Sequence, residues 1–215
     1  MLETTLVNML GAEAYQTYDD SPRIVASASA CSASWDHSRG LRVLIGAGLP
    51  TPATGLMRLQ YEALTRCVWL LYAATDLEVE KLIAPLTVDT EKIANKTPML
   101  AGMLAAIDGK APAAATLMLK QFKDVMAGAL NSYVHGGIHA LRRQSEGYPE
   151  PLLMQVVTSS NGLLTMSAMM LAILSGNTTV SKQMSKVQPL FADCLPEVDH
   201  ARSMNVGRSQ AMGTS

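Results

Sequence analysis

Strand signals are nearly absent from this sequence. No Asn-Gly or Asp-Gly turn sits between alternating β-branched runs, and only 5% of the residues are aromatic, which excludes a β-sandwich or barrel and predicts an all-α fold. Charge is also scarce. With 16% charged against 48% apolar residues, the chain lies outside the composition of disordered proteins, which lack enough apolar side chain to fold. The 17 basic and 18 acidic residues nearly cancel, so no broadly basic surface exists and any nucleic-acid contact must come from a local cluster. Cys31, Cys67 and Cys194 stand far apart with no CxxC spacing. They give neither a disulfide framework nor a cysteine zinc site, and an intracellular, reducing compartment is expected. The opening Met-Leu-Glu-Thr-Thr has no signal-peptide pattern, which predicts a cytoplasmic location. GxGxxG, Walker and GxSxG motifs and EF-hand loops are all missing, and no cofactor or metal is expected.

Helix punctuation, in contrast, recurs throughout the 215 residues. Ser21-Pro22 opens a run in which Ile24, Ala28, Cys31, Trp35, Ser38, Leu41 and Ile45 follow at three- and four-residue steps, the spacing of one helix face. Thr51-Pro52 repeats the start signal and leads through Leu56, Leu59, Ala63, Val68 and Leu71. Thr75 and Glu78 form a capping-box pattern. A helix from Pro112 is expected to reach about Val134, where Gly136-Gly137 breaks it, with a further turn over residues 138–143 and a polar link over 144–149. From Pro151 to Ser181 no residue is charged. Gln155, Thr158, Ser159, Ser160 and Asn161 interrupt that stretch and leave too short an apolar run for a membrane span, so a buried core helix is predicted. A last helix over about 179–192 completes a single antiparallel helical bundle with additional short helices over residues 1–195. Residues 196–215 read as a flexible tail.

Few ionic groups lie on the long helices, and their placement marks the candidate site. Arg58, Glu62 and Arg66 follow at four-residue spacing and share one helix face. They form either a structural Arg-Glu-Arg ladder or an anion site in which Arg58 and Arg66 bind phosphate or carboxylate and Glu62 orients them or acts as a base. His135 and His139 would align on an unbroken helix and share a metal, but the two glycines between them argue against continuity. Their other roles are capping, or proton transfer near neutral pH. Arg142 and Arg143 follow. His37, within Trp35-Asp36-His37-Ser38-Arg39, is either a buried hydrogen-bonded histidine or a site member facing Glu62 or His135.

A His-bearing helix, the Gly-x-Gly-Leu turn at Gly46 to Leu49, Arg58-xxx-Glu62-xxx-Arg66 and Tyr133-Val-His135-Gly-Gly together resemble an uncharacterised bacterial all-helical family. That family is distantly similar to the HEPN (higher eukaryote and prokaryote nucleotide-binding) superfamily. The resemblance spans residues 21–174. It implies a helical bundle that forms homodimers, and a metal-independent ribonuclease or an RNA- or nucleotide-binding component of a toxin-antitoxin or phage-defence system, with a cognate antitoxin or defence partner. His135, His139, Glu62 and His37 would then be catalytic, and Arg58, Arg66 and Arg142 would bind substrate. HEPN nucleases place an Arg four to six residues before the His; here the order is reversed, with Arg142 and Arg143 after His139. The alternative is a noncatalytic interaction or small-anion-binding module in which the same residues are structural.

Overall fold

A computed structural model describes residues 1–11 and 16–196; His200 and nearly all of the expected tail lie outside the described residues. The fold is all-α, and no strand occurs among the described residues. Three long helices form its centre: α2 (Pro22–Gly46), α3 (Pro50–Tyr72) and α10 (Glu150–Leu174). A helix that precedes them, α1 (Leu2–Leu10), packs on α10.

Shorter helices fill the gap between α3 and α10 in the chain. They are α4 (Asp76–Ile83), α5 (Val88–Ala94), α6 (Leu100–Ala106), α7 (Ala113–Phe122), α8 (Gly128–Val134) and α9 (Ile138–Glu146). After α10 come α11 (Thr178–Met184) and α12 (Val187–Leu190), with a 3₁₀ turn at Ala192–Cys194. The single last helix expected from the sequence is thus broken into three pieces. Likewise, the helix expected from Pro112 to Val134 is interrupted by one π-helical turn at Lys123–Ala127. Beside that turn the Tyr61 hydroxyl donates to the Leu119 carbonyl at 2.8 Å, and the Tyr61 and Phe122 rings lie 4.5 Å apart.

Local chemistry explains several helix starts. Thr75 and Glu78 make both halves of the capping box that opens α4. Ser21 leads into Pro22, but its side chain caps nothing; its amide instead donates to Asp19 Oδ1 at 2.9 Å. Helix α3 begins at Pro50, ahead of the expected Thr51-Pro52 start. Thr51 is thereby inside the first turn, with its hydroxyl available for a longer-range contact described below.

Helix α2 runs antiparallel to both α3 and α10: Arg23 reaches Leu70 O and Ser34 reaches Gln60 O, while Cys31 meets Ser167 and Ser38 meets Ser160. The main core lies along this three-helix contact and includes Leu41, Met57, Tyr61, Leu64, Trp69, Leu119, Leu130 and Leu163. Each such side chain contributes about 1.5–3 kcal/mol on full burial. A second core joins Leu2, Leu6 and Leu10 of α1 to Trp35, Leu164, Ala168 and Val180. Helix α10 is long and apolar enough to cross a membrane, yet 61% of its apolar window is buried inside the fold. It is polar where it faces α2 and α3, since Ser160 and Ser167 are enclosed there.

Candidate functional site

The sequence-marked residues occupy three places. Arg58 and Glu62 lie on α3 and form an ion pair at 2.7 Å, with the Arg58 side chain 15% and Glu62 38% exposed. Glu62 is therefore reachable from solvent, and the ladder does not seal it. Arg66 is half-buried one turn further along. His37 is half-buried on α2, where burial lowers its pKa and the adjacent Asp36 opposes that shift. His135, His139 and Arg142 are exposed at the corner between α8 and α9. Helix α8 packs on α3 and α9 touches it, so two of the three places are neighbours, whereas His37 projects from a different helix.

Two glycines build this corner. Gly136 sits at φ +64°, where a side chain would be strained, and a Cβ on Gly137 would come within 2.6 Å of Ser132 Oγ. The chain reverses tightly enough for the Gly137 amide to donate to Ser132 O at 2.7 Å and the His139 amide to Ser132 Oγ at 3.0 Å. His135 becomes the residue that ends α8, and His139 enters α9. The two imidazoles therefore do not share one helix face. No cluster of three or more His, Cys, Asp or Glu able to hold a metal occurs among the described residues.

One aromatic ring packs on His139. The Tyr133 ring stacks on it with centroids 6.4 Å apart, and the Tyr148 ring lies 6.3 Å from Tyr133, tilted by 37°. Burial, then the neighbouring Tyr148 phenol, push the Tyr133 hydroxyl up to about 12 against the pull of Arg143. The Tyr148 hydroxyl donates to Thr51 Oγ1 at 3.0 Å, and Thr51 donates to Gln144 Oε1 at 3.1 Å. This contact, invisible when Thr51 is read as a helix cap, ties the corner to the first turn of α3. Seven residues separate Thr51 from Arg58, so both point from the same side of that helix. On α9, the Glu146 carboxylate holds Arg142 at 2.5 Å and Arg143 at 2.6 Å, with Arg142 66% and Arg143 24% exposed. Ile138 and Leu141 stand in solvent beside them.

A second polar assembly escaped the sequence reading. In the interior, Ser160 Oγ donates to Gln60 Oε1 at 2.7 Å while Gln60 Nε2 donates to Ser160 O at 3.0 Å. Ser38 Oγ lies 3.2 Å from Ser160 Oγ and accepts from Arg42 Nη1 at 2.7 Å. Ser34 donates to Gln60 O and pairs with Ser167 at 3.1 Å. The signal was present in the sequence: Ser27, Cys31, Ser34 and Ser38 follow at helix-face spacing, as small residues that let two other helices approach.

These features define an all-α protein with an aromatic and basic corner and a hydrogen-bonded interior seam. The chain belongs to the family of unknown function DUF6988, whose model matches residues 31–197, a range that takes in α3, α10 and the whole corner. No curated protein and no solved structure matches the chain.

Proposed function

We propose that this protein is a HEPN-like helical bundle that binds single-stranded RNA or a nucleotide at the corner between α8 and α9. One observation carries the reading: the Tyr133, His139 and Tyr148 rings cluster at a corner whose helix α9 also carries Arg142 and Arg143. Bases stack on such rings and phosphates pair with such guanidiniums. The catalytic form of the reading is metal-independent cleavage. In it His139 or His135 takes the 2′-hydroxyl proton and returns one to the leaving oxygen, while Arg142 neutralises charge on the phosphate. Arg58, Glu62 and Arg66 stand on α3, the helix on which α8 packs, whereas His37 lies on α2 and takes no part in this step. Homodimerisation and an antitoxin or defence partner come with the HEPN resemblance, and a cytoplasmic location with the three scattered cysteines. Titration of a labelled single-stranded RNA in EDTA, followed by gel analysis, tests the proposal. Binding, with any cleavage lost in His139→Ala, supports it; neither binding nor cleavage, with His135→Ala changing only thermal stability, refutes it.

A specific observation favours a second reading. Arg58 is paired with Glu62 within α3, and Arg142 and Arg143 are both paired with Glu146 within α9, as in a noncatalytic interaction or small-anion-binding module whose ionic groups are structural and support their own helices. In that case Glu146→Gln lowers stability and leaves RNA affinity at zero. The RNA reading instead has Glu146→Gln raise affinity by freeing two cations.

A further inference from the structure

Away from that corner, Glu3 of α1 is bound by three donors that all project from α2. Its Oε1 accepts from Trp35 Nε1 at 3.1 Å and Arg39 Nε at 2.5 Å, and its Oε2 accepts from Arg42 Nη2 at 2.5 Å. Positions 35, 39 and 42 lie on one helix face, so the receptor belongs to a single rigid element and the bound carboxylate to another. Arg42 is also held from behind, because its second nitrogen donates to Ser38, and Ser38 joins the buried Ser160 and Gln60 pair. Trp35 is only 7% exposed. Arg42 is thus oriented by Ser38, and Trp35 by a core that includes Leu2, Leu6 and Leu10 of α1; while α1 stays docked, a site whose donors are already oriented binds without the cost of ordering them.

Beside the carboxylate a groove of about 480 Å³ opens to solvent, lined by Glu3, Thr4, Val7, Arg39, Arg42 and Val43. Val43 is largely exposed there. The two valines give an apolar wall next to the two guanidiniums, the complement of a carboxylate with a short aliphatic body. We propose that this groove is a carboxylate-binding site whose internal occupant is the Glu3 side chain, and that a small aliphatic carboxylate takes the same three donors when that side chain turns away or is removed while α1, which carries Val7, stays docked. Glu3 then acts as an autoinhibitory ligand. Being tethered, it competes at an effective concentration in the millimolar range or above, so free carboxylates lose to it in the intact chain. The site is independent of the RNA reading, since it shares no residue with the corner.

The test uses the full chain with Glu3→Ala and sodium butyrate as the probe, read by the indole N–H signals of Trp35 and Trp69 in ¹H–¹⁵N NMR. Butyrate is expected to shift the Trp35 signal saturably in Glu3→Ala, leaving Trp69 in place. Wild type and Glu3→Ala/Arg42→Met are expected to show no such shift. Should Glu3→Ala fail to fold, Glu3→Gln keeps the shape without the charge and is expected to show the same shift at higher butyrate. The proposal is overturned if sodium chloride at matched ionic strength reproduces the shift, if inorganic phosphate binds where butyrate does not, or if the Arg42→Met double variant responds like Glu3→Ala.

Discussion

Gln60 and Ser160 hold each other by two hydrogen bonds, Ser160 Oγ to Gln60 Oε1 at 2.7 Å and Gln60 Nε2 to Ser160 O at 3.0 Å, with both side chains enclosed. Removing one partner leaves the other buried and unsatisfied, which costs about 1–3 kcal/mol per group. Gln60→Leu is therefore expected to lower the unfolding free energy by about 2–4 kcal/mol, measured by urea denaturation. Because the two residues are in direct contact, a Gln60/Ser160 double-mutant cycle is expected to show a coupling of at least about 0.5 kcal/mol. Additive losses would mean that the pair does not act as a unit.

Glu3 gives the fold an acid-sensitive contact. Burial raises its pKa, but the hydrogen bonds from Arg39 and Trp35 and the charges of Arg42 and Arg39 outweigh this and leave it below the ordinary carboxyl value. A group depressed in the folded state stabilises the fold above its unfolded pKa, and that stabilisation disappears as the pH falls through the folded pKa. Wild type is expected to lose more stability than Glu3→Gln as the pH drops below about 4.5. Thermal melts of both proteins across that range check the sign.

His37 is depressed as well, through burial that Asp36 only partly offsets. The unfolded chain therefore takes up a proton at this histidine at a higher pH than the fold does, and stability falls as the pH drops below about 6.5. His37→Gln is expected to flatten the stability profile between about pH 6.5 and 5. An unchanged slope would mean that this imidazole titrates freely.

Gly137 controls the corner sterically. In Gly137→Ala the new methyl meets Ser132 Oγ at 2.6 Å and must displace the hydroxyl that accepts from the His139 amide. A loss of about 1–3 kcal/mol is expected, as for other overpacked sites. The pair Gly137→Ala/Ser132→Ala is expected to recover only the steric part, because the His139 amide still lacks its acceptor. Amide exchange at His139 follows whether the turn has opened.

Much of the helical organisation was legible in the sequence because it is written in local chemistry. Pro22, the Thr75-Glu78 capping box and the Gly136-Gly137 break each act through residues a few positions apart. Thr51 shows where local reading stops: it resembles a helix cap, and its actual partners are Tyr148 and Gln144, almost a hundred residues away. The spacing of Arg58 and Glu62 anticipated their ion pair, since i and i+4 positions meet on any helix. The interior seam was missed for the opposite reason. Ser38 read as part of a helix face and Ser160 as an interruption of an apolar run, Gln60 carried no signal of its own, and only the crossing of three helices makes them one network. His37 carried no local sign of which helix it would face.

The salt dependence of RNA binding follows from the few cations at the corner. If Arg142 and Arg143 supply two phosphate contacts, the logarithm of the association constant is expected to fall against the logarithm of salt concentration with a slope of about −1.4. A slope several times steeper would point to a wider basic surface, which a net charge of −1 does not provide.

The most direct measurement of the central claim is fluorescence anisotropy of a mixed-sequence single-stranded RNA titrated at low salt against wild type and Tyr133→Ala/Arg142→Ala. Saturable binding by wild type, weakened about tenfold or more in the variant as expected for the loss of one stacked base and one phosphate contact, with the variant still folded at the assay temperature, is the result predicted. Equal affinity in the two proteins, or no binding by wild type, would contradict it.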